Sequence, residues 1–75
     1  MNISQMTIGS DAQVLSFNEQ ISPVNKRKLL AMGVTPNATM TLVRFAPLGH
    51  SVEIEIRGSL LCLRNELAQM IEVSQ

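Results

Sequence analysis

Two side chains in this sequence carry the functional groups that nucleophilic chemistry needs, and each occurs once. Cys62 offers a thiol and His50 an imidazole, the minimum for a Cys–His pair. Their settings argue against that use. Cys62 lies inside the apolar run Leu60-Leu61-Cys62-Leu63, where a thiol reads as a small buried hydrophobe and stays inert. His50 closes a polar turn and reads as a solvated side chain. A metal site needs clustered His, Cys, Asp or Glu, and the one local grouping is His50, Glu53 and Glu55. Glu53 and Glu55 share a strand face, so they are weak candidates for holding a hard or borderline cation. An alternating strand with a solvated face would carry the same two glutamates with no metal. Phosphate binding calls for a glycine-rich loop entering a helix, but Gly9, Gly33, Gly49 and Gly58 are scattered, each at a turn. For catalysis by charge alone, Arg27 and Arg44 are the candidates among the arginines to act as a finger on a phosphoryl group. No catalytic residue, cofactor site or enzyme activity is expected from these residues.

The remaining concentration of charge is Lys26-Arg27-Lys28, the one basic run. It stands on a helix beside Leu29, Leu30 and Met32, so cations and apolar side chains are contiguous one turn apart. A solvated helix face and a docking patch for a partner both fit, and the exposure of Leu30 decides between them. The partner is not nucleic acid. Six basic and six acidic residues cancel, and without Trp or Tyr the chain has only Phe17 and Phe45 for stacking. The same scarcity excludes an aromatic-walled groove for proline-rich peptides. Seventy-five residues make a single domain, residues 1–75, with 16% charged residues and 45% apolar ones, enough for one small core. A lone cysteine forms no internal disulfide and fits a reducing compartment. The first residues have neither a basic start nor an apolar run, and no stretch approaches the ~18 apolar residues of a membrane span. A cytoplasmic protein without membrane insertion is the expectation.

The elements that must position these residues follow from local signals. Met1–Met6 reads as a loose tail with Met6 and Ile8 packing onto the core edge, and Gln13–Phe17 as the first strand. Ser22 caps a helix that starts on Pro23 and runs to Met32. Gly33 takes the left-handed conformation that ends it, and Val34 then meets Leu29 across the stop. Pro36 and Asn37 turn the chain into a strand over Ala38–Phe45. Pro47 and Gly49 reverse it again. Val52, Ile54 and Ile56 alternate with Glu53, Glu55 and Arg57, a half-buried strand joined by a Gly58-Ser59 turn to a short buried strand, Leu60–Leu63. Asn65 caps one helical turn over Glu66–Ala68, and Met70–Val73 is the last strand. Five short strands in so small a chain curl into a barrel or leave bare edges. The fold expected is mainly β, a five-stranded SH3-like barrel with one short α-helix after the first strand and a helical turn before the last; an OB-like barrel is the alternative.

The order and spacing of several segments resemble the FeoA family of bacterial ferrous iron uptake. They are Ile21-Ser22-Pro23, Lys28 through Asn37, Arg44-Phe45-Ala46-Pro47-Leu48-Gly49, and Arg57 through Arg64 with Ala68 and Ile71. Two positions depart from the family pattern: Asn37 where many members have glycine, and Ser51 where they have proline. The resemblance implies an SH3-like barrel, shared with the C-terminal domain of DtxR-type regulators. It implies a small accessory protein acting on the cytoplasmic region of FeoB, the membrane Fe(II) transporter, with other components of the same uptake system and self-association left open. It brings no catalytic residues and no agreed metal ligands. What carries over is Gly33, Gly49 and Gly58 as turn positions, beside Pro36 and Pro47, and a role in protein interaction for which Lys26, Arg27, Leu29, Leu30 and Met32 are the candidate contacts. The alternative function is a transition-metal-sensing or metal-binding regulatory domain built on His50, Glu53 and Glu55.

Overall fold

Alternation of apolar and polar side chains builds the centre of the molecule. A computed structural model describes all 75 residues, Met1–Gln75. Five strands make one antiparallel sheet: β1 (Asp11–Phe17), β2 (Thr39–Phe45), β3 (Ser51–Ile56), β4 (Ser59–Arg64) and β5 (Ile71–Ser74), in the order β4-β3-β2-β1-β5. Helix α1 (Pro23–Ala31) follows β1, and a single helical turn, α2 (Asn65–Ala68), separates β4 from β5. The mainly β architecture is the expected one. Val52, Ile54 and Ile56 of β3 face the core with Met40 and Leu42 of β2, Val14 of β1, and Ile71 and Val73 of β5.

Two bulges curl this sheet. In β1 the register shifts between Val14 and Ser16, and in β2 between Leu42 and Arg44. An extra residue on one strand bends it and increases its twist. The first bulge falls in the part of β1 that pairs with β5, Gln13–Phe17, and not in Asp11–Gln13, which pairs with β2. It explains the adjacent apolar pair in β1, since Val14 is buried while Leu15 turns outward. In β2 the bulge sets Phe45 opposite the buried Val52, on the face of Met40 and Leu42 and not on that of Val43, although both Val43 and Phe45 remain exposed.

The barrel does not close. The outer strands β4 and β5 are not paired with each other, and the edges they leave differ. Along β5 the start of the chain covers the edge: the Val73 N–H donates to the Met1 carbonyl at 2.8 Å, and Asn2 bridges to Glu72. Met1–Met6 is therefore not a loose tail. Ile3–Gln5 forms a 3-10 turn inside a capping box made by Asn2 and Gln5, and it buries Ile3 completely and Met6 nearly so. These apolar side chains outweigh the polar ones around them.

Three further expectations need correction along β3, β4 and α2. The β3–β4 turn is Arg57-Gly58, one residue earlier than Gly58-Ser59, with φ of 51° and 79°. Both central residues are left-handed, as a two-residue type I′ hairpin requires. β4 is an edge strand rather than a buried one, so Leu63 alone is fully covered, Leu61 packs half-buried against the core, and Leu60 and Cys62 are exposed. Asn65 does not cap α2. The N-cap is Arg64, without a side-chain bond, and the Asn65 side chain instead donates to the Gly49 carbonyl while its N–H donates to the His50 carbonyl at 3.1 Å. It ties the β2–β3 loop to the start of α2.

Candidate interaction surface

Helix α1 begins and ends where its sequence says it must. The Asn25 N–H donates to Ser22 Oγ at 3.1 Å, with Pro23 in the first turn where its missing N–H costs nothing. At the other end Gly33 (φ 94°) follows the C-cap Met32. The Val34 N–H donates to the Leu29 carbonyl at 2.9 Å and the Gly33 N–H to the Leu30 carbonyl at 3.1 Å, the paired bonds of a Schellman stop. Leu29 and Val34, which flank that stop, are both fully buried.

Between those ends the helix is almost entirely exposed. Of its nine residues only Leu29 is buried. Leu29 is thus an anchor in the core and not a partner contact, which removes it from the candidate set. Leu30 (38% exposed), Met32 (39%) and Val24 (59%) are uncovered. Lys26, Arg27 and Lys28 are exposed as well, and none has an acidic partner: the ion pairs of the molecule are Arg44–Glu53 and the Met1 amino group with Glu72. Lys26 lies four residues from Leu30, and Lys28 four from Met32, so each cation adjoins an apolar side chain on the helix surface.

The helix stands as a ridge between two open grooves. On one side Lys26 and Leu30 line a groove with Leu15, Phe17 and Pro36. On the other, Lys28 and Met32 face Cys62, Arg64 and Leu67 across a second groove at the gap between β4 and β5. Val24 and Leu15 extend the apolar surface beyond the residues singled out from sequence. For Leu15 the signal was present, because an adjacent Val-Leu pair in one strand cannot put both side chains inward without a bulge.

The other candidate residues are not gathered into a site. His50 is exposed in the β2–β3 loop, Glu55 is exposed on β3, and Glu53 is held by Arg44, whose Nε donates at 2.8 Å and whose Nη2 lies 2.7 Å away. No three His, Cys, Asp or Glu side chains come together. Hydrogen bonding to Glu53, then its charge, raises the already high pKa of the Arg44 guanidinium, and that pairing occupies one of the two possible arginine fingers. The Cys62 thiol, exposed rather than buried, donates to Ser51 Oγ at 3.6 Å and not to His50. Burial fails here because an apolar run on an edge strand has one face turned to solvent.

A family model for the FeoA domain matches residues 1–75. The chain belongs to the FeoA family. That family is associated with ferrous iron transport. The solution structure of FeoA from Chlorobium tepidum superimposes with a TM-score of 0.90 at 34% identity, over 97% of this chain and 68% of that one. FeoA from Stenotrophomonas maltophilia, solved with zinc, gives 0.84 at 20% identity over 99% of this chain and 89% of that one; it is described as a unique procaryotic SH3 domain protein and a candidate activating factor for ferrous iron transport. A manganese-dependent transcriptional repressor in complex with manganese shares the fold (TM-score 0.89, 16% identity) over 99% of this chain and 35% of its own. The SH3-like fold expected from sequence is therefore the fold of the FeoA chain, with the sheet left open. No helix of the molecule is long and apolar enough to cross a membrane.

Proposed function

We propose that this FeoA domain is an accessory module of ferrous iron uptake that works in the cytoplasm by docking α1 onto the cytoplasmic region of the transporter FeoB. The observation that carries the reading is a helix whose apolar side chains and cations are both without partners inside the domain. Leaving Val24, Leu30 and Met32 in water brings this small fold nothing, whereas a partner that covers them gains their burial. The complementary site on FeoB is an apolar depression rimmed by carboxylates, with Leu30 as the central anchor and Lys26, Arg27 and Lys28 at its margin. The domain then modulates transport by binding and does no chemistry itself. Its reach is the FeoB cytoplasmic domain and other components of the same system, not nucleic acid.

Calorimetry with the purified cytoplasmic domain of FeoB tests this. Leu30→Asp is expected to weaken binding by about 30-fold or more, the effect of losing a central anchor. Arg27→Glu is expected to weaken it less and to flatten its dependence on salt, because exposed charges are screened. If both folded variants bind as the wild type does, α1 is not the docking face. The metal-sensing alternative finds its support in the zinc bound to the Stenotrophomonas protein. It requires His50, Glu53 and Glu55 to converge after Arg44 releases Glu53, and anaerobic calorimetry with Fe(II) that shows no heat removes it.

A further inference from the structure

Arg57 occupies a conformation that arginine disfavours. It is the first central residue of the β3–β4 hairpin, at φ 51°, a place where Asn, Asp or Gly meets less steric resistance. Its side chain accounts for the choice. The Arg57 Nε–H donates to the Gly33 carbonyl at 3.1 Å, and Nη2 donates to Thr35 Oγ1 at 2.7 Å. One planar group thus spans the residue that ends α1 and the residue two positions later, which is a use of the guanidinium fork that lysine cannot reproduce. The stem of the same side chain lies flat on Gly33: a Cβ there would stand 3.0 Å from Arg57 Cδ. Gly33 is required twice, once for its own φ of 94° and once to let Arg57 across. The cation also sits near the C-terminal end of α1, where unpaired carbonyls favour positive charge.

Little else fixes the direction of this helix. Pro23–Lys28 is exposed throughout, and Leu29 is its one residue in the core. Ile21, just before the N-cap, packs half-buried against the core, but the fully buried attachments are at the C-terminal end, Leu29 and Val34 below, with Arg57 across the turn. Apolar contacts are not directional, so on their own they leave the tilt and rotation of the helix soft. From this we infer that Arg57 is the positioning residue of α1: reaching from a hairpin on the far side of the sheet order, it locks the helix stop and so sets the angle at which α1 presents Lys26, Leu30 and Met32. The consequence for binding rests on the docking role proposed for α1, while the mechanical role does not.

Arg57→Asn separates the two functions of the residue, because Asn suits a left-handed turn but has no side chain long enough to reach Gly33 and Thr35. Amide hydrogen exchange on the isolated domain is the measurement. The Gly33 and Val34 amides and those of α1 are expected to exchange about tenfold faster, with Leu42 and Ile54 in the sheet unchanged. Thr35→Val removes one of the two bonds without touching the hairpin, and about a threefold acceleration confined to the same amides is expected. Unchanged exchange in α1, or equal acceleration in the sheet, overturns the assignment. Affinity for the FeoB cytoplasmic domain is read in parallel and is expected to fall about threefold to tenfold in Arg57→Asn. Faster α1 exchange with unaltered FeoB affinity upholds Arg57 as the lock and counts against α1 as the docking face.

Discussion

In β3, Val52, Ile54 and Ile56 all enter the core, three of six residues; in α1 one of nine does. The two elements belong to one domain of 75 residues, yet they answer to different requirements. The strand is defined by what it buries, and its polar alternates are what is left over. The helix is defined at its two ends, by Ser22 with Pro23 and by Gly33 with Val34, and the middle is free to serve something outside the fold. A chain this small buries only a modest part of its surface, and α1 adds one side chain to that core; the remainder of the helix is what the proposed docking would use.

That contrast can be broken or sharpened by substitution. The largest effect is expected at the centre of the sheet: Ile54→Ala removes most of a fully buried side chain and should cost about 2–5 kcal/mol in chemical denaturation. That is a large share of what a domain of this size has. A loss below about 1 kcal/mol would mean that the sheet is not the scaffold. Leu29→Ala follows, at about 2–3 kcal/mol, and its exchange pattern matters more than its size. The amides of α1 should open before those of β2 and β3, because Leu29 is the one point at which the helix enters the core. Opening of helix and sheet together would erase the distinction. Ser22→Ala takes away the acceptor for the Asn25 N–H and should cost about 1 kcal/mol, seen as faster exchange in the first turn of α1. Smallest is Leu30→Asp, expected to shift stability by no more than about 0.5 kcal/mol in the same denaturation experiment. If it matches Leu29→Ala instead, Leu30 belongs to the core and the presentation argument fails.

The parts of this molecule that could be read from sequence are those fixed by neighbours in the chain. The Ser22-Pro23 start, the Gly33 stop with its Leu29–Val34 contact, and the alternation of Val52, Ile54 and Ile56 are local rules with one outcome. What could not be read depends on partners far along the chain. Whether Gly58 is the first or second residue of its hairpin is settled by the left-handed φ of Arg57, and nothing near Arg57 announces that its side chain is committed to Gly33 and Thr35. The Leu60–Leu63 run gives no sign that β4 is an edge, because an apolar run looks the same with one face covered or two. Ile3 carries no periodicity, so its burial beside the edge of β5 was hidden among polar neighbours; Met6 lies on the core as expected, while Ile8, expected with it, is exposed. On α1, Leu30 and Met32 are exposed beside the basic run, while Leu29, expected against Val34 at the helix stop and also named among the candidate contacts, is buried in the core.

The exposed thiol of Cys62 offers a route to these questions that needs no substitution. With one cysteine in the chain, a maleimide fluorophore or a nitroxide spin label attaches at a single place and yields a uniform conjugate. That place lines the same groove as Lys28 and Met32 of α1. A probe there would report movement of the helix in the native sequence, as a change in emission or in line shape when α1 swings or is captured.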